Sequence, residues 1–464
     1  MKQRKYEPID PNVIQELCQQ RKNLYQQLLQ LRAQRNALSK AAAAHKKKKN
    51  GNNNAIHKKE TLTTTATSLA LEENTRERSI QQAQQLKSTI KQYELQLETI
   101  ESQLTTQALL IPNLIHDQVP KHGEPVIVKQ IEGHIPSPSS SSSSEWKRLD
   151  HVELNEKLKF MDLEQASKVT GSSFYYLQGI GAYLELALIQ YAMDKAVQRG
   201  YLGIMTPDIV RSSIVNACGF QPRSGESQQI YRINNQQYQQ QQINDIDKHE
   251  SEDSTLCLVG TAEIPLAGKF MDKIVPENQL PKKCVGFSHA FRMEAGGRGV
   301  ETKGLYRVHQ FSKVELFAIT TPEQSEDMID EFKSLQEEIF TDLGLTFRIL
   351  DMPTNELGAS AYRKYDMEAW LPGKQKWGEI SSTSNCTDYQ ARRLSIRYRP
   401  THPTKENTLF CHTLNGTAMA VPRVIIAILE SYQCPDGSID IPKVLQKWIP
   451  GQPTKFFGDE INYY

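Results

Sequence analysis

FRMEAGGRGVETKGLYRVHQFSKVELF, Phe291 to Phe317, puts an arginine, two acids, a glycine-rich stretch, an aromatic ring and a third acid into one short segment. TKGLYRVHQFSKVELF alternates its side chains with the period of a strand, while GGRG cannot hold a strand and reads as the turn. In such a hairpin Arg292 and Glu294 share one face of the first strand, and Phe311 and Glu315 share one face of the second. A polyanion such as ATP needs a fixed guanidinium, a flat ring to stack its base on, and carboxylates to hold magnesium or an amine. A surface hairpin with a solvated charged face has the same pattern, and the segment alone leaves both readings open.

Three further segments narrow the choice: GTAEIPLAG (Gly260 to Gly268), GEISSTSNCTDYQARRLSIRYR (Gly378 to Arg399) and LNGTAMAVPRVIIAILESYQ (Leu414 to Gln433). The hairpin resembles the pattern by which class II aminoacyl-tRNA synthetases bind ATP, most closely that of seryl-tRNA synthetases. The other three segments resemble the same family in the same order, over roughly residues 10 to 450. The resemblance implies an α+β fold: an antiparallel β-sheet flanked by helices, an N-terminal antiparallel coiled-coil arm, and a homodimer. It also implies activation of L-serine by ATP to seryl-adenylate, followed by seryl transfer to the terminal ribose of tRNA(Ser).

Charge is unevenly spread. Residues 1–110 carry 18 Lys/Arg against 10 Asp/Glu, in a chain whose formal net charge is +1, so the rest is net negative. A basic first quarter suits an appendage that meets a phosphate backbone, although a solvated helical face has the same charge. The seven cysteines (Cys18, Cys218, Cys257, Cys284, Cys386, Cys411, Cys434) are scattered without a C-x-x-C pair, which fits a reducing compartment and no structural zinc. Cys386 lies near the expected pocket in a packing role. No apolar run reaches membrane-spanning length. The basic start MKQRKYEPIDP has early acids and no signal-peptide apolar region after it. By the resemblance, a family member would open with a segment ahead of its first long helix, and many cytosolic members would end in a basic extension; neither is expected of this chain. The hairpin's wording is similar to bacterial and organellar members, so the mitochondrial matrix is expected, with the cytoplasm as the alternative.

Ile14, Leu17, Leu24, Leu28, Leu31 and Leu38 fall on a 3-4 spacing with Arg21 and Arg35 in the missing seam positions. Ala83, Leu86, Ile90, Tyr93, Leu97, Ile100 and Leu104 form a second stripe, so the spacing predicts two helices packed as an antiparallel coiled coil. AAAAHKKKKNGNNN between them is the expected tip. The resemblance makes this hairpin a grip on transfer RNA; a plain helical hairpin used for dimer contact fits the stripes equally. The expected domains are 1–110 (arm), 111–150 (linker) and 151–464 (catalytic). PSPSSSSSSEW (Pro136 to Trp146) and YRINNQQYQQQQINDIDKHESED are expected loops. A helix over Ala182 to Arg199 followed by a strand through GYLGIMTPDIV, including Pro207, matches the family's dimer-forming first motif.

The resemblance carries roles onto individual residues. Arg292 is the clamp on α-phosphate and carboxylate, and Arg423 the γ-phosphate arginine; both are the catalytic candidates. Phe311 stacks on adenine, with Met293, Glu294, Val308, Glu379, Ile380, Ser381 and Ser382 completing the ATP site. Glu379 and Ser382 offer oxygens to Mg2+. Thr261, Ala262, Glu263, Arg292, Glu315 and Thr417 hold serine. A site built to hydrogen-bond a hydroxyl rejects the analogue lacking it by roughly 10⁴–10⁵, so alanine is excluded without editing. The attacking carboxylate is ionised at neutral pH, so no base is required, and catalysis rests on alignment and charge neutralisation. GGRG lacks the G-x-x-x-x-G-K-[ST] pattern, and His289 and His309 read as structural. Glu301 stands where the family usually has aspartate, and Ala418 and Met419 where it has glycine-type residues. Other readings are a catalytically silent synthetase-like RNA-binding protein, another class II synthetase, and a structural coiled coil. The presence of Arg292, Glu315, Glu379 and Arg423 argues against the first, EISSTSN and the basic hairpin against the second, and the remaining 350 or so residues against the third.

Overall fold

The computed structural model describes residues 9–52, 62–121, 123–133, 146–220, 229–233, 255–294, 303–402 and 407–458. The GGRG turn, Glu301, the serine-rich loop, most of the polar insertion and residues 53–61 of the arm's tip lie outside them. The chain divides into two compact units, Pro8–Ile111 and Pro112–Tyr464.

The first unit is a hairpin of two long helices, α1 (Pro11–Asn52) and α2 (Leu62–Leu109). Both apolar stripes turn inward: Leu28 and Ile90 are buried, and the other stripe residues are half-buried along otherwise exposed helices. Ion pairs Arg21–Glu101 and Arg32–Glu94, each 2.7 Å, fix the antiparallel register, since a later residue on α1 meets an earlier one on α2. The seam arginines therefore differ from the sequence expectation in one respect. Arg21 leaves the seam for solvent and an acid, while Arg35 stays half-buried.

The second unit is built on an eight-stranded sheet. Its strands are β1 (Val126–Ile131), β2 (Leu202–Met205), β3 (Lys282–Phe291), β4 (Gln310–Thr320), β5 (Phe347–Asp351), β6 (Arg363–Leu371), β7 (Lys376–Asn385) and β8 (His412–Ala420). They lie in the order β1-β5-β6-β7-β8-β4-β3-β2. Every pairing is antiparallel except β2 with β3, so the sheet is mixed at one edge. At the opposite edge the segment read as a linker supplies β1, paired to β5. Pro207 does not lie within a strand. It separates β2 from a short strand at Ile209–Arg211, as expected of a residue with no N–H to give a ladder.

Alternation along β4 divides the core. Val314, Leu316 and Ala318 face one side, where α4 (Ile180–Gln198), α6 (Ser325–Asp342) and α8 (Val421–Ser431) pack through Leu184, Leu188, Phe332, Ile339, Val424 and Ile428. Phe317 and Ile319 face the other side, against α5 (Glu263–Lys269). Phe311, Lys313 and Glu315 share that second face, so the open end of a packed face becomes the floor of a cleft.

The predicted hairpin is shorter than its periodicity suggested. β3 ends at Phe291, leaving Arg292 and Glu294 beyond the strand, and Glu294 takes the left-handed φ of 44°. β4 begins only at Gln310. The stretch before it is curled because His151, at the head of α3 (His151–Leu158), is buried beneath it. His151 Nε2 accepts from the Leu305 amide (3.2 Å), and a Cβ on Gly304 (φ +79°) would lie 2.0 Å from that nitrogen. The ring's other side faces Glu430 of α8, with Nδ1 3.5 Å from Oε1.

Candidate active site

A cleft of about 520 Å³, open solvent at its mouth included, lies over β4, β7, β8 and the first turn of α8. Its wall carries Arg292, Arg307, Lys313 and Arg423 against Glu294 and Glu379, an excess of positive charge suited to a polyanion. Phe311, Val308, Ile380, Ser381, Ser382 and Thr417 complete the wall among the residues expected there. Met293 is two-fifths exposed, while Thr261, Ala262, Glu263 and Glu315 are buried and do not line the cleft directly.

One end of the cleft is organised by two arginines. Arg292 donates from Nε to the Gly260 carbonyl (3.4 Å), and its guanidinium carbon lies 5.3 Å from the centre of the Phe311 ring. Arg423, in the first turn of α8, lies 3.2 Å from a Glu379 carboxylate oxygen, donates to the Glu379 carbonyl, and packs over Tyr306 at 4.8 Å. Tyr306 Oη accepts from the Glu379 amide (2.9 Å). Burial pushes the Glu379 carboxyl up, but Arg423, Lys364 and Arg292 outweigh it and hold the group well below the usual carboxylate range. Glu294 is paired with Arg307 at 3.4 Å.

Two β-bulges aim this wall. Glu379 and Ser382 are three residues apart, which simple alternation would put on opposite faces of β7. Opposite them Glu368 pairs with Glu379 and Asp366 with Ser382, so Ile380 is the extra residue and both side chains return to one face. On β8 the same thing happens at Ala418. Glu315 pairs with Thr417 and Val314 with Met419, which lets both Thr417 and Ala420 reach the cleft. Beneath the first bulge Lys364 and Asp366 pair at 2.7 Å; burial raises the Asp366 carboxyl, Lys364 opposes the shift, and Glu379 adds to it.

Behind Lys313 and Thr417 of the wall lies a buried polar network. Lys313 Nζ lies 2.6 Å from Glu315 Oε2 and donates to Thr261 Oγ1 (3.2 Å), while Thr417 Oγ1 donates to Glu315 at 3.5 Å. Glu263, in the first turn of α5, accepts from Gln390 Nε2 (2.6 Å) and Asn415 Nδ2 (2.9 Å). Burial, then repulsion from Glu315, raises its carboxyl to about 7 against the opposing pull of Gln390, Lys313 and Arg292. Asn415 also reaches the sulfur of Cys386, which is buried. His289 faces Asp208 and His309 faces the Arg292 carbonyl, so both are tied to local structure.

Sequence reasoning passed over Lys313, Gln390, Asn415 and Tyr306. The signal for Lys313 was present: it lies between Phe311 and Glu315 on the same alternating face. Gln390 comes from the short helix α7 (Tyr389–Arg393), far away in sequence, and no local pattern marks it.

Residues 245–432 match the model of the tRNA synthetase class II core domain (G, H, P, S and T). The chain is 41% identical to a serine–tRNA ligase of Rubrobacter xylanophilus over 95% of this chain and 92% of that protein. It is 43% identical to a mitochondrial serine–tRNA ligase of Saccharomyces cerevisiae over 74% of this chain and 72% of that one. Its structure is similar to the crystal structure of seryl-tRNA synthetase from Pyrococcus horikoshii complexed with ATP, with a TM-score of 0.74, 31% identity, and 96% of this chain and 93% of that one covered. A positively charged cleft on a mixed sheet agrees with the Rubrobacter and Pyrococcus relatives, each matched over more than nine-tenths of its length: the chain belongs to the seryl-tRNA synthetase family of class II aminoacyl-tRNA synthetases.

Proposed function

We propose that the cleft binds ATP and L-serine side by side and joins them as seryl-adenylate, which is then used to charge tRNA(Ser). The observation that carries this reading is the contrast across one cavity. Arg292, Arg307, Arg423 and Phe311 line it, and its Lys313 and Thr417 lead by hydrogen bonds to a carboxylate and a hydroxyl buried behind the wall, Glu315 and Thr261. In the first step a serine carboxylate oxygen forms a bond to the α-phosphorus and the bond to pyrophosphate breaks, its electron pair leaving with pyrophosphate. Arg292 holds carboxylate and α-phosphate together, Arg423 takes the γ-phosphate, and Phe311 receives adenine, flanked by Met293, Glu294 and Val308. Fixed cations aimed at oxygens where charge accumulates lower the barrier without reorganising. Glu315, Thr261 and Thr417 take the serine amine and hydroxyl, with Glu263 and Ala262 closing the pocket.

Glu379 and Ser382 suit Mg2+, because a carboxylate held ionised and a hydroxyl share one face of β7 through the bulge. The ion would neutralise phosphate charge when bound.

Serine-dependent ATP–pyrophosphate exchange tests the reading. Exchange should fall by about 10⁴ in kcat/KM when alanine replaces serine, and Arg292→Ala should reduce it by about 10²–10³. Equal exchange with alanine would refute the pocket. The helical hairpin of residues 8–111 is read as the transfer-RNA grip, supported by its basic charge and exposed polar faces. Deleting it should spare exchange and impair charging. Homodimerisation is supported by exposed Tyr183, Leu186 and Val197 on α4 and by Leu202 and Met205 on β2. Placement in the mitochondrial matrix is supported by the identity with mitochondrial ligases. Among the described residues no helix is long and apolar enough to cross a membrane.

A further inference from the structure

Lys313 is a charged side chain in the cleft to which the reading above gives no task. It projects from the same face of β4 as Phe311 and Glu315, two residues from each. Its side chain is 9% exposed and that of Glu315 is 2% exposed. Nζ lies 2.6 Å from Glu315 Oε2 and 3.2 Å from Thr261 Oγ1, and donates to both. Glu315 and Thr261 belong to the set assigned above to the serine amine and hydroxyl, and Glu315 is its one carboxylate. An ammonium belonging to the chain thus occupies the seat meant for the ammonium of the substrate.

Both cannot stay. Two like charges at contact distance, buried around one carboxylate, repel strongly because little water screens them. Resting on the serine-activating reading, we propose that Lys313 is an exchangeable cation: the incoming amine displaces Nζ from Glu315 and Thr261, and the freed Nζ turns to the serine carboxylate and the ATP α-phosphate. Its place in the cleft favours that destination. Lys313 lines the same cavity as Arg292 and Thr417, between the ring expected to carry the base and the acid expected to carry the amine. The reacting carboxylate and phosphorus must meet in that interval. A lysine suits an exchange of this kind, being a compact charge on a flexible stem, whereas arginine is pre-shaped for one bidentate partner.

The chemical step keeps its balance. A carboxylate oxygen bonds to phosphorus, the pyrophosphate bond breaks with its electron pair, and Lys313 retains its proton while stabilising the non-bridging oxygens. Amine recognition thereby releases the charge that activation uses. An acid lacking the amine would leave Nζ on Glu315 and would remain unactivated.

The experiment compares full-length wild type with Lys313→Met. Wild-type exchange with serine comes first; its absence would remove the serine reading and this proposal together. With wild type active, the variant's exchange kcat should fall by about 10²-fold, while its KM for serine does not rise, because the competitor for Glu315 has gone. Exchange within a few-fold of wild type, or a loss confined to KM for serine, would overturn the proposal alone. A crystal structure of wild type with serine and a non-hydrolysable ATP analogue gives a check that does not depend on the variant folding. Nζ should then lie beyond ~4 Å, the reach of an ion pair, from the Glu315 carboxylate. Nζ still seated on Glu315 beside bound serine overturns the exchange.

Discussion

The two ends of the cleft, named by the function proposed for them, treat a glutamate in opposite ways. At the nucleotide end Glu379 is surrounded by Arg423, Lys364 and Arg292, which overcome burial and keep it ionised. At the amino-acid end Glu263 is held by neutral amides, faces another carboxylate at Glu315, and is raised to about 7. The first environment presents fixed charge to a partner that brings many charges of its own. The second sets one buried ion pair, Lys313 with Glu315, beside the amide-held Glu263, and under the proposed function it meets a small zwitterion whose charges must be matched one by one. Burial acts on both groups; the company each keeps decides the outcome.

The widest separation between the ends is expected from removing the cation that defines one of them. Arg423→Ala should lower exchange by about 10²–10³, mostly through ATP, with serine binding little changed. The same substitution takes away the leading influence that holds the Glu379 carboxyl down. Exchange by the variant should therefore decline at a higher pH than wild type as the medium is acidified. Kinetics as a function of pH with each substrate varied in turn would detect both effects. An equal rise in KM for serine would mean that the two ends are not separate.

The sequence carried the floor of this cleft further than its walls. Strand alternation puts Phe311 and Glu315 on one face, and β4 has them there. Alternation fails for Glu379 with Ser382 and for Thr417 with Ala420, pairs spaced by three, because each needs a bulge visible only in the partner strand's register. Only the resemblance to a family joined Glu379 to Ser382. The curled run before Gln310 was hidden for a similar reason. It bends around His151, some 150 residues upstream, whose burial no local period reports. The arm was the most legible part, since a stripe on a helix needs only the other stripe.

A stability measurement sharpens the comparison from the amino-acid end. Burial, with repulsion from Glu315, pushes the Glu263 carboxyl up to about 7 from its ordinary 4.5, so the folded state binds more protons than the unfolded one between these values. The sign follows: this contribution is fully present below the unfolded value and is lost as pH rises through the folded one. Across that window the destabilisation should reach roughly 3 kcal/mol. Glu263→Gln, which keeps the shape and cannot ionise, should flatten the slope and be more stable than wild type above neutrality. It should also bind serine less well, since Glu263 closes that pocket. Urea denaturation at a series of pH values would read this out, and an unchanged slope would remove the account of Glu263.

The smallest expected effect tests how the nucleotide end is held rather than what it binds. The Tyr306 hydroxyl accepts from the Glu379 amide and its ring packs against Arg423, so a single side chain orients both members of the ion pair. Tyr306→Phe keeps the ring and removes only the acceptor, leaving a half-buried amide to find water; a neutral hydrogen bond of this kind contributes about 1 kcal/mol. KM for ATP should rise several-fold while kcat with saturating ATP and KM for serine hold steady. Tyr306→Ala, which also strips the packing from Arg423, should approach the Arg423→Ala phenotype. If the phenylalanine variant instead weakened serine binding, the hydroxyl would be acting across the cleft, and the division between an ionised end and a neutral end would have to be redrawn through Tyr306.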